Sequence, residues 1–396
     1  MKQLRKFFDT ALILLFALAL GLPAARFALG RAQPKMLAGE NRPPAPAPEV
    51  PLARKAIARF PARFEAYFQD RLPARELLLC EQARFKVDWL DTSSSEKVIV
   101  GRDGWLFMNE EKSENPGRDI SKAEQCRLWA TEFRRRRDWL AERGIDYIIV
   151  LTPEKHSIYP EYLPEIHRHM HGPTAAEMMA DELRRDSKTK VVVLREALTA
   201  ERSASPLTPF PSPLGGDGRL ASSLLFFRTD THWNDEGAYI GYCTLVQRLA
   251  QRWPDMKPLE RDRFDRHGIT SFTGDLTRIL HLPGERREPI EAWQLREPKA
   301  VRLLEELPLD SRLHFPKHFQ PQVWGRNDPH LPRALLFHDS FAAQLWLPLL
   351  AEHFNRLGYA ATAGFDPQSV NAIQPQVVIQ EIVERKINWH TPEPLR

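Results

Sequence analysis

The sequence predicts an α/β fold in which a mostly parallel sheet carries helices on both faces. Short runs of β-branched and aliphatic residues alternate along the chain with segments of helical periodicity, the pattern of βα units around a buried sheet. Of the 396 residues, 42% are hydrophobic and 27% are charged, values typical of a globular protein. The net charge of +4 is too balanced to indicate a nucleic-acid partner, which would require a clustered basic face.

The elements follow in order from the spacing of the apolar residues. Helices are predicted at 54–85, 121–143, 174–185, 234–251 and 342–357. A strand, a glycine turn and a second strand are predicted within 98–107, and further strands at 147–152, 191–194, 224–228, 334–337 and 377–379.

The N-terminus has the pattern of an export signal. Three basic residues precede an apolar run from Ala11 to Leu22. A helix that spans a membrane needs about 20 residues. The apolar run approaches this length only when the flanking aromatic residues are counted. We therefore interpret residues 1–30 as a signal anchor or a signal peptide, and the positive-inside rule places the rest of the chain outside the cytoplasm.

The remaining sequence predicts a spacer followed by one domain. Residues 31–53 are crowded with proline and alanine, which favours an extended linker. Residues 54–396 are predicted to form a single domain, and the stretch 203–218, rich in proline, serine and glycine, is predicted to be an exposed loop inserted in it.

The number and spacing of the cysteines argue against three kinds of site or scaffold. Cys80, Cys126 and Cys243 form no CxxC pair, so neither a structural zinc site nor a redox motif is expected, and an odd number of three cannot make a disulfide framework. No cofactor is expected from the sequence.

Asp230 and His232 form the first motif with chemical potential. In extended backbone, side chains two residues apart point the same way, so the carboxylate would lie near the imidazole. An imidazole oriented by a carboxylate is the base half of a nucleophilic triad. Asn234 has the chemistry of a helix N-cap, which places the pair between a predicted strand and a helix. A structural histidine in a polar loop and a metal site are the alternatives, and further ligands at regular spacing are missing for the metal.

Ser340 is the candidate nucleophile. It lies between a predicted buried strand and a predicted helix, the strand–turn–helix setting of nucleophilic serines. The N-terminus of that helix would offer backbone N–H groups to an oxyanion. Asp339 is expected to point elsewhere and not to act as the base. An Asp-Ser dipeptide alone is typical of a helix N-cap, but the pairing with Asp230 and His232 at one edge of the sheet favours the nucleophile.

Four further residues are candidates for substrate binding. Arg385 follows the last predicted strand, where it would bind substrate or stabilise negative charge, unless it forms a surface ion pair. Trp233 and Tyr159 could stack on sugar rings, although most aromatic residues in a domain of this size belong to the core. Lys155 is the fourth candidate.

Six motifs occur in a fixed order: GRDGWLF (101–107), TPEKHSIYPEYLP (152–164), DTHWNDEGA (230–238), GDL (274–276), HDSF (338–341) and VVIQEIVER (377–385). Together they resemble the alginate O-acetyltransferase (AlgJ/AlgX-type) family of exported SGNH-hydrolase-like proteins over residues 98–387. The resemblance implies a three-layer α/β/α, flavodoxin-like domain with Ser340, His232 and Asp230 as its catalytic residues. His338 stands where the family usually has glycine.

The resemblance also implies a reaction and a compartment. The implied reaction is transfer of an acetyl group to an exopolysaccharide on the periplasmic side of the bacterial inner membrane, with the acetyl group supplied by a multi-span membrane O-acyltransferase. An acetylesterase that uses the same three residues stays open, because water and a sugar hydroxyl compete for one acyl-enzyme. A non-catalytic polysaccharide-binding scaffold also stays open.

Overall fold

The structure is a computed structural model that describes residues 2–28, 37, 42–49, 57–72, 75–110, 121–167, 173–204, 224–303, 307–308, 320–343, 345–362 and 364–395. The chain divides into two compact units, Met1–Ser95 with Thr277–Glu285, and Glu96–Leu276 with Arg286–Arg396. This division falls inside the range 54–396, and the predicted domain boundaries stay a prediction. The predicted insert lies outside the described residues from position 205 onwards, and Ser203 and Ala204 end a helix.

The first unit is helical. It contains α1 (Lys2–Ala28), α2 (Phe60–Asp70) and α3 (Arg75–Arg84), followed by a π-helical turn at Phe85–Trp89. The helix predicted at 54–85 is therefore interrupted between α2 and α3. Across the described residues, no helix combines the length and the apolar character that a membrane crossing requires.

The second unit contains all the described strands: β1 (Val98–Val100), β2 (Leu106–Met108), β3 (Asp146–Thr152), β4 (Lys190–Val193), β5 (Phe264–Phe272), β6 (Glu288–Leu295), β7 (Val301–Arg302), β8 (Gln322–Gly325), β9 (Arg333–Phe337), β10 (Arg356–Ala360) and β11 (Val377–Val383). The helices that follow α3 in the chain are α4 (Lys122–Ala141), α5 (Lys155–Ile158), α6 (Ala175–Arg184), α7 (Leu194–Ala204), α8 (Asp235–Leu249), α9 (Asp275–Ile279), α10 (Trp346–Ala351), α11 (Pro367–Ile373) and α12 (Glu384–Trp389).

The central sheet is mixed and has the order β4-β3-β11-β9-β10-β8-β7. The first five of these strands are parallel, β8 is antiparallel to β10, and β7 at the edge is antiparallel to β8. Numbered along the chain, the parallel strands have the order 2-1-5-3-4. The prediction of a flavodoxin-like sheet is wrong in this respect, because flavodoxin has the order 2-1-3-4-5. Here the last strand, β11, lies between β3 and β9.

The sheet has a hydrophobic core on each face. Side chains of a strand alternate between the two faces, so Ile148 and Val150 of β3 pack with α7, α8 and α10, whereas Ile149 and Leu151 pack with α4, α6 and α11. The predicted three-layer α/β/α arrangement is confirmed by these two cores.

Several predicted elements are present with small changes at their ends. The helix predicted at 121–143 is α4, which Ser121 caps by accepting the Glu124 N–H. The helix predicted at 174–185 is α6, which begins with a capping box of Thr174 and Glu177. Asn234 caps α8 as predicted, because its side chain accepts the Gly237 N–H at 3.0 Å.

Two predicted elements are wrong. The helix predicted at 342–357 is a turn, the short α10 and the start of β10, because residues from 356 onwards pair with β9 in the sheet and tertiary pairing outweighs local propensity. The strand predicted at 224–228 is part of an irregular hairpin-like loop, residues 224–234. The chain reverses there, with an isolated bridge between Phe226 and Trp233 and a hydrogen bond from Asn234 N–H to Leu225 O.

Candidate active site

Three side chains that are far apart in the sequence form a continuous hydrogen-bonded chain. The Ser340 hydroxyl donates to His232 Nε2 at 2.8 Å, and His232 Nδ1–H donates to Asp230 Oδ1 at 2.7 Å. The direction of these bonds follows from the carboxylate, which accepts only and therefore fixes the Nδ1–H tautomer of the imidazole. This is the geometry of a Ser-His-Asp triad. The structure thus brings the three predicted residues together, and their catalytic role stays a prediction.

Opposing effects set the protonation of His232 and Asp230. Burial lowers the pKa of His232, but the hydrogen bond and charge of Asp230, together with the charge of Asp275, outweigh it and leave this pKa raised. Burial raises the pKa of Asp230, and the bonds from His232 and from the Asp275 N–H outweigh it, so this pKa is lowered. Asp230 is therefore held ionised, ready to stabilise an imidazolium.

Ser340 is positioned by the carboxyl ends of two adjacent strands. It follows β9, and the preceding residue, Asp339, accepts the backbone N–H groups of Phe341 at 2.9 Å and Val383 at 2.7 Å. Glu381 on β11 accepts the Asp339 N–H at 3.0 Å. The carboxylate of Asp339 therefore binds backbone, in agreement with the expectation that it is not the base.

The predicted helix N-terminus at Ser340 is absent. Residues 340–343 form a turn, and α10 begins only at Trp346. The expected helical source of oxyanion donors is therefore wrong. Among the described residues, the Ser340 N–H has no hydrogen-bond acceptor, which leaves it available to a bound oxyanion.

Lys155 holds the 224–234 loop instead of facing substrate. Its ammonium group is buried and donates to the carbonyl oxygens of Phe227, Arg228 and Asp230 at 2.9, 2.9 and 2.6 Å. These three bonds use all its donors. Burial lowers the pKa of Lys155 to about 8. The prediction of Lys155 as a substrate-binding residue is therefore replaced by a role in positioning the loop.

Trp233 and Tyr159 are also structural. Both rings are fully buried. Trp233 Nε1–H donates to Phe341 O at 3.0 Å, and the Tyr159 hydroxyl accepts the Leu225 N–H at 2.9 Å. The core alternative thus holds for both residues, because neither ring offers a face to a sugar.

Arg385 lies at the site but is not a surface ion pair. It belongs to α12, is 7% exposed and donates to Glu154 Oε1 at 2.5 Å. Its guanidinium lies 5.3 Å from the ring centre of Phe341, the residue after Ser340. A guanidinium has five N–H donors. Among the described residues, Glu154 is the one acceptor for Arg385, so the other donors of Arg385 remain available for a ligand.

His338 occupies the position of the family's usual glycine without entering the site. It is buried, stacks on Tyr359 at 3.8 Å between ring centres, and donates through Nδ1 to Asp339 O at 2.6 Å. Burial lowers the pKa of His338 to about 4, so the ring is neutral near pH 7. The histidine at this position therefore holds the backbone carbonyl of Asp339, the residue before Ser340.

Two clusters contain side chains of the kind that bind metals: Asp230 with His232 and Asp275, and Glu110 with Glu154 and His156. In the first, both oxygens of each carboxylate already accept hydrogen bonds from the protein. In the second, Glu154 binds the cationic Arg385, which would repel a metal ion. In both clusters a metal ion would therefore compete with interactions that the protein already makes.

Sequence reasoning missed the residues that support the triad. Glu288 accepts the N–H groups of Arg228 and Thr229 and also the Thr229 hydroxyl. Burial raises the pKa of Glu381 well above its usual value, and the charge of Asp339 adds to this. A carboxylate inside the apolar run of β11 was a signal for Glu381, since such residues are rarely buried without a role. No comparable signal marked Glu288.

The fold and the triad geometry define an SGNH-hydrolase-like α/β protein. The profile of the family described as "SGNH hydrolase-like domain, acetyltransferase AlgX" matches residues 98–207 and 216–306, just over half of the chain. The chain belongs to this family. The match includes Asp230, His232 and the GDL motif and ends before Ser340, so it does not test Ser340 as the nucleophile.

Individual relatives match this chain at low sequence identity and over part of their length. The protein called "Probable alginate O-acetylase AlgJ" of Pseudomonas fluorescens is 27% identical over 190 residues, which are 47% of this chain and 41% of that protein. Its Pseudomonas aeruginosa counterpart is 28% identical over 52% of this chain and 44% of that protein. The chain thus spans less than half the length of these relatives. The structure of Bacillus cereus PatB1 is similar over 74% of this chain and 99% of that one, with a TM-score of 0.52 and 15% identity, which shows the fold alone.

Proposed function

We propose that this protein is an O-acetyltransferase that carries the acetyl group on Ser340. The observation that supports the proposal is the unbroken path of hydrogen bonds from the Ser340 hydroxyl through His232 to Asp230. A serine hydroxyl is a weak nucleophile until a base within hydrogen-bonding distance accepts its proton. The membership of a family described as acetyltransferases supports acetyl as the transferred group.

The first half-reaction acetylates the serine. Ser340 Oγ forms a bond to the carbonyl carbon of the acetyl donor while its proton moves to His232 Nε2, and Asp230 stabilises the resulting imidazolium. The tetrahedral intermediate then collapses. Its bond to the leaving group breaks, and the leaving group takes the proton from Nε2. Ser340 is left as an acetyl ester, and His232 is again neutral.

The second half-reaction transfers the acetyl group to a sugar. A hydroxyl of the acceptor attacks the ester carbonyl while His232 Nε2 accepts its proton. Collapse of this second intermediate breaks the bond to Ser340 Oγ, which takes the proton back from His232. The net result is one acetyl ester moved from donor to acceptor.

Two groups are placed to stabilise the oxyanion of both intermediates. The Ser340 N–H has no acceptor among the described residues, and the unused donors of Arg385 lie beside Phe341. A fixed donor in a site with little water is worth about 10²–10³ in kcat. We propose the Ser340 N–H as the first donor to the oxyanion and the guanidinium of Arg385 as the second.

We propose a polysaccharide as acceptor, because the relatives are named for acetylation of alginate. We further propose that the domain acts on the periplasmic side of the bacterial inner membrane and receives acetyl groups from a multi-span membrane O-acyltransferase. The support for export is the basic and then apolar pattern of residues 1–30, read as a signal peptide or a signal anchor.

A donor–acceptor assay tests this function. The full chain is incubated with p-nitrophenyl acetate, with or without alginate oligosaccharides, and the products are analysed by mass spectrometry. Acetylated oligosaccharide formed by the wild-type protein and not by Ser340→Ala supports the transferase. Free acetate as the only product, equally fast with and without the oligosaccharide, would replace it with an esterase. Equal product from Ser340→Ala would overturn the mechanism.

A further inference from the structure

The Gly274–Asp275 pair of the GDL motif packs directly against the backbone that carries Asp230 and His232. Asp275 N–H donates to Asp230 Oδ2 at 2.8 Å. In return, the Asp275 carboxylate accepts the Thr231 N–H at 2.7 Å and the Thr231 hydroxyl at 2.6 Å. Three bonds thus join this pair to the two residues that precede His232.

Gly274 allows this close approach. A Cβ atom at position 274 would overlap with the Thr229 carbonyl group and would lie 2.5 Å from Asp230 N. Real Cβ atoms do not come so close to backbone, so any other residue would displace the segment that ends in Asp230. In this motif Gly274 permits the close approach to the backbone of residues 229–230, and Asp275 forms the hydrogen bonds to Asp230 and Thr231.

Asp275 also contributes to the electrostatic environment of the imidazole. Its Oδ2 lies 4.0 Å from His232 Nδ1, and the ring of Phe341 lies 4.9 Å from the imidazole. The charged groups that act on His232 are Asp230 and Asp275, which favour the imidazolium, and Arg385, which opposes it. Asp275 therefore places a second carboxylate beside the ring nitrogen that bonds Asp230, while burial and the charge of Asp230 raise the pKa of Asp275 itself.

We infer that Asp275 is a positioning residue that fixes Asp230 through its backbone N–H and holds His232 through Thr231 and its own charge. With Oδ2 of Asp230 bound by the Asp275 N–H, Oδ1 is left to face His232 Nδ1. The inference rests on the proposed triad, because it concerns how the base is held. It adds a second carboxylate, from the first residue of α9, to the acid–base half of the site.

The test is the pH profile of kcat/KM with p-nitrophenyl acetate for the full-length protein and for Asp275→Asn. The amide keeps the size and one acceptor but removes the charge. We expect kcat/KM to fall by about 10–100-fold, since small displacements of a catalytic group have effects of this size. We also expect the acid limb to move to lower pH by about one unit, because loss of a nearby negative charge lowers the pKa of His232.

Two further variants separate the possible explanations. Asp265→Asn, on β5, is the matched control and should behave as wild type, since Asp265 is half exposed and pairs with Arg296. Thr231→Val removes one hydrogen bond to Asp275 and leaves the charge of Asp275 in place. This variant should therefore lower kcat/KM without moving the acid limb of the pH profile. It replaces Asp275→Asn as the test if the Asp275→Asn protein does not fold. An Asp275→Asn protein that is folded and has the wild-type rate and profile would overturn the inference. The proposed function would survive that result as long as Ser340→Ala is inactive.

Discussion

The two halves of the triad rest on different kinds of structure. Ser340 follows β9, a central strand whose register is fixed by β11 on one side and β10 on the other. Asp230 and His232 lie in the 224–234 loop, in which a single isolated bridge is the only strand-like pairing among the described residues. The nucleophile is thus held by the sheet, and the base by side chains from elsewhere in the fold.

The difference shows where the catalytic geometry is vulnerable. Buried backbone groups need partners, and in the 224–234 loop side chains supply most of them: Lys155 for three carbonyl groups, and Glu288 and Asp275 for three N–H groups. On the sheet side the ladder satisfies the backbone up to Phe337, and two side chains, those of Asp339 and Glu381, bind the backbone beyond it. Substitution of a residue that supports the 224–234 loop should therefore lower activity more than a chemically similar substitution of a residue that supports the sheet.

The largest effect is expected from the member of the loop that touches the base. Asp230→Asn removes the charge that stabilises the imidazolium and favours the wrong tautomer of His232, so kcat/KM should fall by about 10⁴-fold. Hydrolysis of p-nitrophenyl acetate and acetyl transfer should fall together. Asp265→Asn is again the control. A loss of less than about tenfold in a folded Asp230→Asn protein would contradict the role of Asp230.

A smaller but still large effect is expected from the cation that holds the loop. Lys155→Met leaves the carbonyl groups of Phe227 and Asp230 without a donor and leaves that of Arg228 with the Leu106 N–H alone, so the loop should shift and kcat/KM should fall by about 10²-fold. Lys257→Met, at an exposed position, should have no effect. The comparison of loop and sheet would be wrong if Lys155→Met kept full activity while circular dichroism showed a folded protein.

The smallest effect on activity is expected on the sheet side. Glu381→Gln should stay within about twofold of the wild-type rate, because burial raises the pKa of Glu381 and so favours the neutral carboxyl, and an amide can satisfy Asp339 and Thr152. Its effect should be on the pH dependence of stability. The pKa of Glu381 is higher in the folded than in the unfolded state. The carboxyl group therefore contributes fully to stability below pH 4.5, and this contribution is lost as the pH rises through the pKa of the folded state.

Melting temperatures measure this contribution. The difference between wild type and Glu381→Gln should shift in favour of the variant as the pH rises from about 4.5, the usual pKa of a glutamate. A difference that is constant over this range would show that Glu381 is ionised in the folded protein. A large loss of activity in Glu381→Gln would show that the sheet side is as sensitive as the loop.

The same contrast explains what could be predicted from the sequence. The strand before Ser340 was visible because a buried parallel strand is a continuous apolar run, and β3, β4 and β11 were visible for the same reason. The pair Asp230 and His232 was found from its spacing. Lys155 and Asp275 lie in motifs that the sequence shows, but their contacts with the pair could not be found, because tertiary structure brings them and Glu288 to the 224–234 loop.

The substrate-binding predictions failed for a related reason. Tryptophan and tyrosine near a motif are as consistent with core as with a sugar platform, and Trp233 and Tyr159 are core. The helix expected after Ser340 failed because the apolar residues from 342 onwards serve a turn, a short helix and a strand. Arg385 differs from them in place, since a charge directly after a buried strand lies at the edge of the sheet where the site forms, and its role in substrate binding stays a prediction.

The most direct test of the triad is the site of covalent acetylation. The full-length protein is treated with p-nitrophenyl acetate in the absence of acceptor, quenched with acid, and mapped by peptide mass spectrometry beside Ser340→Ala and His232→Ala. The triad predicts one acetyl group on the peptide with Ser340 in the wild type and none in either variant. Acetylation of another residue, or acetylation of Ser340 that is equally fast in His232→Ala, would contradict it.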